Sequence, residues 1–213
     1  MLRRLVGSEM CIRDSPKTKK QNNNTRLKLT EEPIKKAIEE IKLFNKKHNL
    51  IARGSLNQQV EESVKEGSQL ALILQDKQSI LDLGAGSGLV GVTLATKIPA
   101  AKILLGESNK KKAYHLKRMI RATQLSNIEV FSQPPKNKKI IVHAVTTKAF
   151  ITIKDTLDLL DSMVHKPFSV YFLKGREEVF QKELVEANIL NKNHEIIKME
   201  STKERFIIKI INE

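Results

Sequence analysis

Residues 80–91, with the sequence ILDLGAGSGLVG, contain the main indication of architecture in this chain. An apolar run leads directly into a glycine-rich turn, and a second apolar segment follows. This layout is typical of the first strand, turn and helix of an open α/β sheet, where glycines let a ligand approach and the helix N-terminus offers free N–H groups. The alternative is an ordinary strand-to-helix turn. Three glycines at alternate positions and Asp82 near the strand end favour a binding site.

Two ligands fit this turn. Counted from Gly86, it matches the dinucleotide pattern G-x-G-x-x-G, with Glu107 about twenty residues further on. Counted from Gly84, it reads D-x-G-x-G-x-G, the first motif of methyltransferases that use S-adenosylmethionine. The turn should begin where the apolar run ends, at Gly84. Asp82 suits the ammonium group of a methionine and would repel a pyrophosphate, so the sequence favours the methyl donor.

Glu107 follows a short apolar segment, 101–105, that we interpret as the second parallel strand. A carboxylate in this position can accept hydrogen bonds from both hydroxyls of a ribose, whether in NAD or in S-adenosylmethionine. The alternative is a charge at the start of the helix that begins near Ser108 or Asn109. The two roles are compatible.

A longer pattern surrounds the turn. It comprises LDLGAGSGLVGVTLA at 81–95, Pro99, the block E-S-N-x-K-K-A at 107–113 and LSNIEV at 125–130. With these blocks, residues 79–131 resemble the RsmG (GidB) family of bacterial enzymes, which methylate N7 of a guanine in small-subunit ribosomal RNA. Weaker similarities at FNKKHNL, VTTKAF and LKG extend the resemblance over residues about 44 to 187. The E-S-N-x-K-K-A block is more specific than the glycine motif, which many methyltransferases share.

The resemblance implies a Rossmann-like class I methyltransferase fold, with a seven-stranded, mostly parallel sheet, helices on both faces and an N-terminal helical cap. It implies S-adenosylmethionine as the cofactor and 16S ribosomal RNA, free or in a pre-ribosomal particle, as the partner. Guanine N7 carries no proton, so we assign no catalytic base. The predicted donor-binding residues are Asp82, Gly84, Gly86, Gly88, Leu89, Glu107 and Lys148.

The chain departs from the family pattern at several positions. An R-A-E triplet that meets the adenine is replaced by Pro134-Pro135-Lys136, and the arginine of a V-x-S-R-A segment is Lys148, which keeps the charge but loses the bidentate fork. A family histidine and aspartate appear as Ser63 and Glu66. Two alternatives therefore stay open: a methyltransferase with another acceptor, and an RNA-binding protein that has lost donor binding.

Composition agrees with a polyanionic partner. The 213 residues carry a formal charge of +14, the pI is about 9.8, and we expect nucleic acid rather than a membrane surface as the partner. Apolar runs are too short for a membrane span, and mean hydropathy is −0.33. The single cysteine excludes an internal disulfide, and the five histidines show no metal-ligand spacing. We expect a cytoplasmic monomer without a metal.

The chain divides into three segments. Residues 1–15 resemble translated sequencing adapter, so we expect them to be an assembly artefact; a signal peptide is the rival interpretation, but Glu9, Arg13 and Asp14 interrupt its apolar core. Residues 16–30 are basic and contain no acid, which predicts a flexible arm that is either a solvated linker or an RNA contact.

Residues 31–213 form the single predicted methyltransferase domain. Thr30 is the predicted N-cap of its first helix, and a second helix is expected at about 57–75, within an N-terminal helical part at 31–75. The predicted sheet core occupies 76–213, with strands near 79–83, 101–105, 128–131, 139–145, 168–173, 193–199 and 205–211. The last two strands should form an antiparallel pair.

The helix predicted at 109–123 carries most of the expected basic face. Its cations are Lys110, Lys111, Lys112, Lys117, Arg118 and Arg121. We predict RNA contacts at Lys111, Lys112 and Arg118, and at Lys174, which with Arg176 should border the same crevice at the end of the fifth strand. The alternative is a solvated helix face.

Overall fold

A computed structural model describes residues 23–48, 50–51, 55–131, 139–189, 194–199 and 204–213, with side chains from Glu32 onward. The predicted artefact at 1–15, residues 16–22 of the predicted basic arm and Pro134-Pro135-Lys136 lie outside the described residues, so the predictions made for them stay predictions. The prediction of a flexible arm is wrong for residues 23–30, which form the start of the first helix.

Seven strands form one sheet in the described part of the chain, in the order β3-β2-β1-β4-β5-β7-β6. They are β1 Ser79–Leu83, β2 Lys102–Gly106, β3 Ile128–Phe131, β4 Ala144–Lys148, β5 Phe168–Lys174, β6 His194–Lys198 and β7 Phe206–Asn212. Strands β1 to β5 are parallel, whereas β7 runs antiparallel to both β5 and β6. The strand order reverses between β1 and β4, and ligands of open α/β sheets bind at the carboxyl ends of strands at such a reversal.

Helices cover both faces of the sheet, as predicted. They are α1 Asn23–Lys47, α2 Leu56–Ile73, α3 Leu89–Lys97, α4 Lys110–Thr123, α5 Ile153–Met163 and α6 Glu177–Glu186. Buried side chains of α1 to α4 share one apolar cluster, in which Ile41 and Leu70 of the N-terminal helices meet Leu94 and Leu116. Helices α5 and α6 contribute to a second cluster. The N-terminal helices therefore pack over α3 and α4, beside the strand reversal.

Two predicted boundaries are wrong. The first helix already begins at Asn23, so Thr30 lies inside it and Pro33 is an interior residue. A threonine followed by glutamates and a proline indicates a helix start only if the preceding residues do not continue the helix. The fourth strand was predicted at 139–145 but is β4, Ala144–Lys148. Thr146 and Thr147 are buried in this strand. Because they are polar, the sequence pattern did not predict a central strand there, although β-branched residues favour strands.

The remaining elements follow the prediction within about a residue or two, a normal margin at helix and strand ends. The antiparallel pairing of β6 with β7 is confirmed. Helix α4 begins at the predicted place, and its N-cap is Asn109, whose side chain accepts from the backbone N–H groups of Lys111 and Lys112. Within the described ranges, no helix is both long and apolar enough to cross a membrane.

Candidate active site

The glycine turn lies at the carboxyl end of β1, and its three glycines have different surroundings. Gly84, Gly86 and Gly88 have φ values of 73°, 56° and 77°, a left-handed conformation that favours glycine. A Cβ on Gly84 would lie 2.5 Å from Cδ2 of Phe150, and one on Gly88 would overlap Leu116 and Met119. On Gly86 its nearest neighbour would be the Gly84 carbonyl oxygen at 3.7 Å. Gly86 is therefore the glycine that faces open space, whereas Gly88 permits close packing of α4.

Backbone hydrogen bonds hold the turn in place. The N–H groups of Gly84 and Ala85 both donate to the Gly106 carbonyl oxygen at the end of β2, at 2.9 and 3.1 Å. Leu89 is the first residue of α3, and its side chain is fully buried. Since first-turn N–H groups have no acceptor within the helix, Leu89 offers a ligand its backbone rather than its side chain.

Glu107 connects the turn to the start of α4. Its Oε2 accepts from the Gly86 N–H at 3.1 Å, and its Oε1 accepts from the Asn109 N–H at 2.9 Å. The side chain is buried near the end of β2. Each carboxylate oxygen has a further lone pair, so these bonds leave acceptor capacity for ribose hydroxyls. Glu107 can therefore bind the start of α4 and still accept hydrogen bonds from a ribose, the two roles predicted for it.

Asp82 lies beneath the turn. It is 4% exposed, and its Oδ1 accepts from the Thr146 hydroxyl at 3.4 Å. Its Oδ2 faces Gly91 of α3 and has no hydrogen-bond partner among the described residues. Burial raises the pKa of this carboxyl to about 7. An incompletely satisfied buried carboxylate gains most from a cation that comes within reach.

Lys148, at the end of β4, is tied to the N-terminal helices. Its Nζ donates to Ser63 Oγ at 3.2 Å and to Glu66 Oε2 at 2.5 Å, both on α2. Glu66 is buried, and its other oxygen accepts from Arg205 Nε at 3.3 Å. Arg205 also pairs with Glu62 at 3.6 Å. The structure therefore brings Lys148 together with Ser63 and Glu66, two of the positions at which the chain departs from the family pattern. It also adds Arg205, which the sequence analysis did not predict.

Phe150 forms a wall of the site that was not predicted. Its ring contacts Gly84 while 38% of the residue stays exposed. The preceding residue, Ala149, has a φ of 48°, which is uncommon for a residue with a side chain. The only sequence signal was the position of Phe150 directly after the VTTKA segment.

The predicted RNA-contacting residues differ in side-chain exposure and in whether they are ion-paired within the protein. Lys111 is exposed and Lys112 half-buried at the start of α4. Arg118 pairs with Glu40 of α1 at 3.0 Å, and its side chain is 47% exposed. The prediction for Lys174 needs correction, because its side chain is only 15% exposed and pairs with Glu183 of α6 at 2.6 Å.

His115 links the turn to α1. It is fully buried; its Nε2 lies 3.3 Å from the Ser87 carbonyl oxygen, and its ring centroid is 4.7 Å from that of Phe44. Burial lowers the pKa of His115 below its ordinary value, which favours the neutral ring. Within the described residues, no cluster of histidine, cysteine and carboxylate side chains could hold a metal ion.

Comparison with known sequences identifies a family. The GidB family model, described as rRNA small subunit methyltransferase G, matches residues 30–208. A ribosomal RNA small subunit methyltransferase G from Brachyspira hyodysenteriae is 38% identical over 141 residues, which are 65% of this chain and 69% of that protein. The protein of the same name from Borrelia duttonii is 27% identical over 194 residues, which are 87% of this chain and 92% of that protein.

Solved structures agree on the fold. A putative O-methyltransferase from Klebsiella pneumoniae gives a TM-score of 0.57 at 12% identity and covers 85% of this chain and 90% of its own. The M. jannaschii TYW2 structure in complex with AdoMet gives 0.54 at 14% identity, with 70% and 74% covered. Both likenesses support the class I methyltransferase architecture.

Proposed function

The chain belongs to the GidB family of rRNA small subunit methyltransferases G, and we propose how its residues transfer a methyl group from S-adenosylmethionine to N7 of a guanine in 16S ribosomal RNA. The observation that carries the proposal is the convergence of Gly86, Glu107 and Asp82 at the carboxyl ends of β1 and β2. We further propose that the chain acts as a monomer in the bacterial cytoplasm, where ribosomal RNA is modified.

The residues at this site suit the donor. Gly86 leaves open space in which the cofactor can approach the backbone, and Glu107 lies beside it as an acceptor for the ribose hydroxyls. The unsatisfied Oδ2 of Asp82 suits the ammonium group of the methionine part, directly or through a water molecule. When bound, S-adenosylmethionine supplies an electrophilic methyl group on a sulfonium.

The transfer requires orientation rather than proton removal. The N7 lone pair forms the new bond to carbon as the bond from carbon to sulfur breaks, and the guanine takes on the positive charge. A cation beside N7 would oppose this charge, but Lys148 is paired with Glu66. We propose that Lys148 positions the acceptor at the end of β4, while Phe150 and the turn enclose the reacting groups.

We expect the rate of methyl transfer to change little between pH 6.5 and 8.5. N7 has no proton to lose, so a titrating histidine base is not required, whereas such a base would give a steep acid limb. The measurement is a single-turnover rate with 16S rRNA and donor saturating at each pH, together with identification of the product as 7-methylguanine.

Variants at His115, which contacts the glycine turn, and at His143, which lies at the opposite edge of the sheet, complete this test. His143→Ala should leave the rate unchanged, because this exposed ring only contacts Ser79. His115→Gln should alter the rate only as far as it alters folding. A rate that rises about tenfold per pH unit, or methyl label on an exocyclic amine or ribose, would favour a methyltransferase with another acceptor.

We expect Lys111→Ala combined with Lys112→Ala to weaken RNA binding and flatten its dependence on salt. Each lost phosphate contact should lower the slope of log K against log salt by about 0.7 to 0.9. Titration of labelled 16S rRNA at several salt concentrations measures this slope. Lys154→Ala, an exposed lysine on α5 at the other face of the sheet, is the matched control.

Arg118→Ala, studied in the same assay, distinguishes a loss of RNA contact from a loss of packing against α1. Because Arg118 pairs with Glu40, Arg118→Ala should also lower stability slightly, whereas the two lysine substitutions should not. An unaltered salt slope in the double lysine variant would mean that this part of α4 is only a solvated surface. Donor affinity should be unchanged in all these variants.

A further inference from the structure

A second pocket lies outside the glycine turn, between the C-terminal end of α1 and the start of α4. Its volume is about 320 Å³. The lining combines two rings with polar and cationic side chains, namely Phe44, Lys47, His48, Asn109, Lys111 and Lys112.

The charge of this pocket is not balanced by the residues that the structure describes. Among the described residues, Lys47, Lys111 and Lys112 have no carboxylate partner, in contrast to Lys148 and Lys174, which are both ion-paired. Like charges around one cavity repel each other, and the repulsion is relieved when an anion binds. The pocket is therefore suited to a phosphate-bearing ligand.

Two rings lie side by side at this pocket. The centroids of Phe44 and His48 are 4.5 Å apart with an interplanar angle of 39°, and His48 is exposed. Rings beside cations are the combination with which proteins hold unpaired nucleotides, since the base stacks and the phosphate is neutralised.

Two short contact paths connect the pocket with the donor turn. Phe44 contacts His115, whose Nε2 lies 3.3 Å from the Ser87 carbonyl oxygen. On the other side, the Asn109 N–H donates to Glu107, which accepts from Gly86. A ligand in the pocket would thus lie beside the site of methyl transfer.

We propose that this pocket binds one nucleotide of the RNA substrate that flanks the methylated guanine. The base stacks on His48 and Phe44, and its phosphate lies among Lys47, Lys111 and Lys112. This inference rests on the proposed function, because it takes RNA as the substrate. It adds a base-stacking subsite that belongs to α1 rather than to the sheet.

The test compares His48→Ala with His48→Phe in the full chain. His48→Ala should weaken binding of an in vitro 16S rRNA transcript about tenfold, the size of one lost stacking contact, and raise KM with little change in kcat. His48→Phe should restore both values. His165→Ala is the matched control, because His165 is an exposed histidine that precedes β5, at the edge of the sheet opposite the glycine turn, and does not line the pocket. Calorimetry with S-adenosylmethionine should give the same donor affinity in all three variants.

Photocrosslinking locates the nucleotide. A transcript that contains 4-thiouridine should give an adduct on the peptide with Phe44 and His48, and mass spectrometry identifies it. Guanosine monophosphate and inorganic phosphate serve as competitors. Efficient displacement of the transcript from this peptide by either one would overturn the proposal in favour of a site for free nucleotide or phosphate.

The outcomes distinguish this proposal from the proposed function. Unchanged RNA affinity in His48→Ala, with crosslinks elsewhere, overturns the subsite even if the wild-type chain methylates RNA normally. A wild-type chain that binds the transcript through this peptide but binds no S-adenosylmethionine overturns the methyl-transfer function and leaves the subsite standing.

Discussion

We expect Gly86→Val to abolish the binding of S-adenosylmethionine while the protein still folds. A Cβ at this position meets no atom closer than the Gly84 carbonyl oxygen at 3.7 Å, so the branched side chain finds room in the free protein. It then occupies the space through which the donor must approach the turn. We expect affinity to fall at least about 100-fold, equivalent to roughly 3 kcal/mol, as measured by calorimetry.

Backbone strain needs its own control, because Gly86 has a φ of 56°. Gln124, the residue that ends α4, has a φ of 59° and lies at the opposite end of that helix from the turn. Gln124 already bears the cost of a side chain at positive φ, so Gln124→Val adds the further strain of a β-branched side chain there and should lower stability without changing donor affinity. A folded Gly86→Val variant with wild-type affinity would contradict the assignment of this turn.

Gly84→Val should also prevent binding, but for a different reason. Its Cβ would lie 2.5 Å from the Phe150 ring, so the ring must move before any donor is present. The sequence predicted the same role for both glycines, because the motif shows spacing but not what faces each Cα. The structure separates a glycine that faces open space, Gly86, from one that packs against a ring, Gly84.

Local signals were sufficient for most of the fold. An apolar run before the glycine turn predicted β1, the basic segment after Glu107 predicted α4, and alternating apolar residues predicted the final antiparallel pair. The position of Glu107 directly after β2 was predicted from the short apolar segment before it, whereas its role toward the ribose stays a prediction. These features depend on residues close together in the chain, and a single sequence contains them.

Charge compensation could not be predicted, because it depends on residues far apart in the chain. Lys148 and Glu66 are separated by 82 positions, and Arg205 and Glu66 by 139. Lys174 had the sequence signature of a free cation at the end of a strand, yet Glu183 of α6 neutralises it. Distinguishing a solvated lysine from a paired one requires the packing of helices on the sheet, which periodicity does not contain.

Asp82→Asn should separate donor binding from stability. Burial raises the pKa of Asp82 from its ordinary value of 3.8 to about 7, so the folded protein holds this proton more tightly than the unfolded chain does. Above about pH 7 the folded state must ionise a buried carboxyl, at a cost on the order of 4 kcal/mol. The cost decreases as pH falls from 7 towards 4 and is absent below the unfolded pKa. Asparagine keeps an acceptor for the Thr146 hydroxyl and never ionises.

The variant should therefore be more stable than the wild type at pH 8, and the two should converge near pH 4.5, as measured by urea denaturation at both values. At pH 8 it should bind S-adenosylmethionine far more weakly, because the amide offers no charge to the ammonium group. Wild-type donor affinity should decrease as pH falls below 7, about tenfold per unit once Asp82 is mostly protonated, and the variant should lack this dependence. If Asp82→Asn is instead less stable at pH 8, the carboxylate serves the fold. The expected result means that the protein tolerates a costly buried charge beneath its glycine turn because the donor requires it.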